Sequence, residues 1–572
     1  MPIRPRSNVR QDTIIPYELW CEAFAHSEPS DVLSLGQTCK ALHALVAQRS
    51  IWITILASIC ARHALFAPSY PLHDMDLAQL QRAAMRPNLL QRRMKNHALP
   101  GDRLNEAREL GPVTILDLNQ LRTSPENDGA EWSFHRHLVP GGRFLVQVRY
   151  PRASEDGMAI TAQGPFSATL WDLGVPSSAP LSKPILMGAK DLGEYVEPVV
   201  SVVSSYTGAS KDILRVAIEL GNSDEDRLVV ILLSVSLRQV SHDDLVFQDL
   251  GMIRVTGGVQ DELQEAVEPI IRGDLMLIRL TWNFVIWNFV ADTYIVISTG
   301  IDLPEEQFVF TGKLVILFVE WWKKRGIRTW KVPSSESFKD VTSHSIVAPF
   351  DGPPTPPDHI LPLPYPAFQN YTSISVNVPR GSLDLPFSFD VFSSPRLKGY
   401  AARRGKMTPR TPTRGMRCTL DNAKPSGEHH SDNMNELALV VEPVLSFSLN
   451  PPVTGPPLPL PQFATAMSDG NLTYAFMAST MKEYALAGGT GKEYGVFAYT
   501  LVPTGALPAP SAGPSSRSGE STVGQAASVE VVRLTALPQG SFQSGWAACA
   551  ASGRLVDKDG PEDTAVLLDY LA

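Results

Sequence analysis

Close to residue 130 the apolar residues of this chain change period, and that change constrains what it can fold into. Upstream they recur at helical spacing; downstream they come in short runs of strand formers cut by Gly, Pro, Asn and Ser. A chain of 572 residues with 47 Pro and 40 Gly has the turn content for many strands and few long helices. The expected class is α+β multidomain, with a small helical unit and linker helices followed by a large all-β domain. The pattern puts a disordered start at 1–11, the helical unit at 12–58, a helical linker at 59–129 and the β domain at 130–572. A Pro-rich, basic insertion at 349–435 and a flexible loop at 508–528 interrupt the β domain.

In the helical unit, Leu19, Trp20, Ala23 and Phe24 follow Ile15 and Pro16 at one-sided spacing, and Pro16 suits a helix start. Pro29, Ser30 and Asp31 supply start chemistry for a second helix carrying Val32, Leu33 and Leu35. A third carries Cys39, Leu42, Leu45 and Val46, and Trp52 with Ile55 closes the unit. Three short helices cannot bury all of these residues, so part of the apolar surface calls for a partner.

Read in order, Ile15-Pro16-x-Glu18-Leu19-Trp20, Phe24, Pro29, Asp31, Leu33, Leu35, Thr38-Cys39-Lys40, Leu42, Leu45 and Trp52 resemble the F-box family. Two departures are Ile15, where the family opens on Leu, and the polar stretch His26-Ser27-Glu28, where it has an aliphatic residue. The resemblance implies docking on the small Skp adaptor and, through it, on a cullin. It assigns that contact to Ile15, Pro16, Leu19, Phe24, Leu33, Leu35 and Leu42. The alternative is an ordinary helical hairpin with coincidental spacing.

Beyond residue 130, ATLWDL at 168–173, FVIWNF at 284–289 and VLLDYL at 566–571 are apolar runs that carry Asp or Asn after a large residue near their ends. Weaker relatives stand at 327–332 and 496–501, and the apolar runs 229–235 and 438–449 lie between these five, which makes seven candidate runs. Gly-bearing turns precede several, as in VPGGRFLVQV, TGKLVILFVEWW and ASGRLV. Repeats of about 40 to 60 residues resemble a diverged WD-type β-propeller of about seven blades. Trp171-Asp172 is a WD dipeptide, but no Gly-His pair opens each repeat. A β-sandwich or two separate β domains remain the alternatives. Large fungal F-box proteins have a similar order, F-box first and diverged β-repeats after.

The formal charge of −9 is small for this length, and no nucleic-acid partner is expected. The start has no apolar run after its basic residues, so the expected location is cytoplasmic or nuclear. LTWNFVIWNFVA at 280–291 is too short for a bilayer and reads as a buried strand; no membrane is expected. The five cysteines show neither disulfide nor zinc spacing, and Cys21, Cys39 and Cys60 read as small buried hydrophobes. Residues 74–96 read as a helix, a break at Pro87 and a second short helix, with Arg86, Arg92, Arg93 and Lys95 on a solvated face or against an acidic surface. Eight Lys or Arg between Arg396 and Arg417, with Thr408 and Thr411 before Pro, read as a solvated insertion, with a nuclear-import signal, a contact for an acidic substrate or a phosphate-backbone site as the alternatives. Gly488 to Lys492 reads as a hairpin turn, because it lacks P-loop spacing.

No catalytic, cofactor-binding or metal-binding set is read from the chain, and His135, His137, His429 and His430 read as structural or solvated. The expected function is a non-catalytic substrate-recognition adaptor of a Skp–cullin–F-box ubiquitin ligase, with a target protein on the β domain. The alternatives are an F-box scaffold outside any ligase and an enzyme with its site in a propeller channel.

Overall fold

The computed structural model describes residues 15–97, 99–100, 110–118, 121, 132–151, 164–176, 183–195, 200–206, 212–222, 227–237, 247–256, 269–280, 282–300, 307–321, 324–347, 353–362, 371–377, 387–395, 413–422, 437–442, 446–447, 462–469, 472–483, 492–501, 529–533, 546–549, 551–557, 559–561 and 566–571. Residues 1–11, the run 396–412 with Thr408 and Thr411, His429 with His430, and the loop 508–528 lie outside the described residues.

Helices come first: α1 Tyr17–Ala25, α2 Pro29–Gly36, α3 Lys40–Val46 and α4 Arg49–Arg62. Pro29 opens α2 at its first position, with Asp31 in the positive first turn. The fourth helix is one more than the spacing predicts. Ile51, Trp52, Ile55, Leu56 and Ile59 of α4 are all buried and share one face, with Thr54 and Ala57 exposed on the other. It packs against α1, α3 and the helix that follows at Leu77–His97. No single described helix is long and apolar enough to cross a membrane; α3 and α4 pass only as a pair bent by 63°.

Helix α5, Leu77–His97, runs unbroken through Pro87, against the expected break. Its start is fixed reciprocally, as in a capping box: Gln79 N donates to Asp76 Oδ1 at 2.8 Å and Asp76 N to Gln79 Oε1 at 2.9 Å. Pro87 removes one helical hydrogen bond, a cost of about 3 kcal/mol. Burial of Leu80, Ala83, Ala84 and Leu90 offsets it. The solvated-face reading is corrected for two arginines. Arg86 is buried and donates to Ser552 O and Asp569, and half-buried Arg93 donates to the carbonyls of Tyr570 and Gly111. Arg92 is exposed.

The rest is mostly strand, in seven separate sheets among the described residues, none closed on itself. Sheet I holds Trp132–Leu138, Phe144–Pro151, Gly164–Asp172 and Ile185–Tyr195; sheet II Val200–Tyr206, Ile213–Asn222, Arg227–Ser236 and Gln248–Thr256. Sheet III holds Ile270–Arg272, Leu275–Arg279, Asn283–Asn288 and Thr293–Ser298; sheet IV Gln307–Phe310, Leu314–Trp321, Lys324–Lys331 and His359–Pro362. Sheet V holds Tyr371–Asn377, Phe387–Pro395, Thr413–Asn422 and Leu437–Glu442; sheet VI Gln462–Asp469, Leu472–Glu483, Lys492–Leu501 and Val529–Arg533. Sheet VII takes Trp546–Cys549, Arg554–Asp557 and Val566–Asp569 from the end of the chain and Thr114–Asp117 from before sheet I. These strands pair antiparallel with their neighbours. Shared apolar clusters join sheet I to II, II to III and III to IV. First strands touch between I and II, II and III, IV and V, V and VI, VI and VII, and VII and I. Arg272 Nε, donating to Phe310 O at 3.2 Å, ties III to IV.

Four further expectations need correction. The stretch 59–129 is not helical throughout, because Leu99–Pro100 pairs in sheet VI and Thr114–Asp117 in sheet VII. The stretch 349–435 contains strands of sheets IV and V. Its prolines near 355 run along a sheet border, where Thr355 N donates to Ser298 O at 2.7 Å and a missing proline donor costs little. The run 280–291 is not one strand: Asn283–Asn288 is extended, and the chain then turns, with Asp292 at φ 52°. Cys39, beside α3, is exposed. The strands flanking 484–491 pair with each other, joining Glu483 to Lys492.

Candidate protein-docking site

The seven residues expected to make the adaptor contact fall into three groups. Ile15, Pro16 and Leu19 stand exposed where α1 begins, Leu19 at 59%, with exposed Tyr17 between them. Leu35, at the end of α2, is exposed, while Leu33 and Leu42 are half-buried. Phe24 is the exception: it lies 1% exposed in the core, its ring centroid 5.4 Å from that of Trp20. Having no surface to offer, it supports α1 from within. Sequence spacing could not make this distinction, because Phe24 and Leu19 share the apolar signature.

Core residues hold the two exposed groups in place. Trp52 is fully buried and its Nε1 donates to Val46 O at 2.7 Å, pinning the end of α3 to α4. Gly36 lets α2 approach α3, since a Cβ there would stand 3.2 Å from that of Val46. Beside this contact, Gly36, Gln37, Thr38, Cys39, Lys40 and His43 line a shallow cleft. Among the described residues, no group of three or more His, Cys, Asp or Glu could hold a metal ion.

The polar stretch before α2 finds its purpose in the fold. Glu28 Oε1 accepts from Arg62 Nη1 of α4 at 2.7 Å, and Oε2 accepts from Asn88 Nδ2 of α5 at 3.0 Å. One carboxylate therefore ties the start of α2 to both supporting helices, a link that an aliphatic side chain could not make.

Next to this tie His63 is buried, and its Nδ1 has no hydrogen-bond partner. Burial pushes its pKa down from 6.5 to about 4, with Arg62 adding to the depression and Glu28 opposing it. Between these two values the unfolded chain binds the proton and the folded one does not. Stability therefore falls as pH drops from about 6.5 to about 4, by about 3 kcal/mol from this group. His63→Gln should flatten that part of the stability profile, which urea midpoints at pH 7.5, 6, 5 and 4.5 would show.

No curated protein matches the chain. Residues 13–58, covering α1 to α3 and most of α4, match the family model described as F-box-like, and this N-terminal segment is an F-box-like domain.

Proposed function

We propose that the chain is a substrate-recognition adaptor of a Skp–cullin–F-box ubiquitin ligase. Domains of this type are non-catalytic modules for protein interaction, and they typically bind the Skp adaptor in such ligases. The carrying observation is the family match on a segment whose Ile15, Leu19 and Leu35 stand exposed although they are large and apolar. Cullin recruitment follows through the adaptor, and the β region receives the target protein in the cytoplasm or nucleus. Transfer then rests on proximity, which raises the effective concentration of a target lysine near the conjugating enzyme.

We further infer that the seven sheets are the blades of a WD-type propeller. Their chain order, the contacts between successive first strands and the N-terminal strand completing the last sheet all support that reading. A local repeat supports it too. Gly142-Arg143 precedes the second strand of sheet I and Asp172 ends the third; Gly553-Arg554 and Asp569 take the same places in sheet VII. Arg143 pairs with Asp172 at 2.6 Å and Arg554 with Asp569 at 2.8 Å. Gly142 and Gly553 both have positive φ, 76° and 68°, which glycine adopts without strain.

The test is pull-down of the purified full chain with a Skp adaptor and then a cullin. Leu19→Asp with Leu35→Asp should weaken adaptor binding at least about a hundredfold, as loss of central apolar contacts does, with the melting temperature unchanged. Failure of the wild type to bind would remove the ligase reading. Adaptor binding without cullin recruitment would leave a scaffold outside the ligase.

A further inference from the structure

The strand Val566–Asp569, close to the end of the chain, carries three separate attachments. Its Asp569 Oδ1 accepts from Arg86 Nη2 of α5 at 2.7 Å and Oδ2 from Arg554 Nε at 2.8 Å, with all three side chains buried. Asp569 O also accepts from Val113 N at 2.8 Å, at the head of the pairing with Thr114–Asp117. Arg86 spends its other bonds on Ser552 O, and Arg554 bonds Gly142 O and Gly174 O of sheet I, each at 2.8 Å. Helix α5, the N-terminal strand and the turns of sheet I are thus gathered at one carboxylate. The apolar cluster around it is continuous, running from Phe24 and Trp52 through Leu80 and Leu90 to Leu555 and Leu568.

We infer that Asp569 and its strand form a latch: they position the adaptor-binding helices on the β region, and opening the latch frees the helices and the strand Thr114–Asp117 together. The inference rests on the ligase reading only for what the helical face binds. Without the latch, the two exposed groups on α1 and α2 keep their shape but lose their fixed direction relative to the target-binding region. Arg86 and Asp569 are positioning residues in this scheme and touch no partner themselves. The other sheets share apolar clusters of their own, so sheets II to IV stay closed when the latch opens.

Hydrogen exchange and a spin-label distance measurement on the full chain test this, with labels carried by unnatural residues at exposed Ser34 and Lys339. In Arg86→Gln, amides of 77–97, 114–117 and 566–569 should exchange about tenfold faster or more, in concert, while those of 213–236 and 275–298 stay as in the wild type. The label distance distribution should broaden, and Arg86→Lys should restore part of it. An unchanged distribution, or faster exchange spread evenly over all sheets, would overturn the latch. Should Arg86→Gln fail to fold, Arg93→Gln at the half-buried rim of the same junction gives the same readouts. Adaptor affinity is measured alongside: its absence in the wild type strikes the ligase reading, whereas unaltered exchange in the variant strikes the latch.

Discussion

Asp569→Ala is expected to lower the unfolding free energy by about 3–5 kcal/mol, the usual loss when one partner of a buried ion pair is removed. Its side chain has no exposure, and it serves Arg86, Arg554 and the Leu571 N–H at 2.7, 2.8 and 2.8 Å. Removing it leaves two buried guanidiniums without the carboxylate that both share. Burial already pushes the Arg554 pKa down, with Asp569 opposing that shift and Arg86 adding to it. Arg554 Nη2 has no partner even with Asp569 present, so the site has no spare acceptor to absorb the change. Asp569→Asn should lose nearly as much, because it removes the charge that both cations require. A triple replacement, Arg86→Met with Arg554→Met and Asp569→Leu, should be milder than Asp569→Ala alone, since apolar groups demand no pairing. Urea unfolding followed by circular dichroism ranks the three. A loss below about 1 kcal/mol for Asp569→Ala would mean that the cluster is open to solvent and contributes as a surface pair does.

What the sequence could reveal follows from how locally each feature is determined. The seven apolar runs counted along the chain fall in seven different sheets, and six of them, at 168–173, 229–235, 284–289, 327–332, 496–501 and 566–571, lie on the third strand. A strand flanked on both sides by others and covered on both faces is apolar along its length, and that is visible in a linear string. Thr114–Asp117 and His359–Pro362 are edge strands of only four residues, too short to show a strand pattern, so their sequences read as linker and insertion. Helix α4 was hidden for the opposite reason. Its β-branched Ile51, Ile53, Thr54, Ile55 and Ile59 favour strands locally, and the apolar Ile53, Ala57 and Ala61 on its outer face blur the helical stripe in the sequence. Pro87 and Arg86 show the limit of local rules: the partner of Arg86 lies 483 residues away, and only the assembled junction makes an unbroken helix favourable there. At the docking face, Pro29 and the apolar order were legible, but which leucine points outward was not.

Trp52→Ala provides the sharpest separation between what holds the F-box-like domain together and what it shows to a partner. Trp52 is among the residues that carry the family resemblance, yet its ring has no exposure and cannot touch an adaptor. Its loss should cost about 3–5 kcal/mol through the cavity. The freed Val46 carbonyl, which now accepts at 2.7 Å, adds about 1 kcal/mol. Adaptor binding should then decline only as the domain unfolds, so that cooling restores it. Leu19→Asp should behave in the reverse manner, with binding lost at every temperature and the melting point unmoved, because that side chain is mostly in solvent. Trp52→Phe tests the split between volume and hydrogen bond. It retains most of the ring and removes the N–H, so the loss should be nearer 1–2 kcal/mol. If Trp52→Phe were as damaging as Trp52→Ala, the Nε1 bond to the end of α3, and not the filling of the core, would be what sets the α3–α4 angle and with it the cleft at Gly36 to His43.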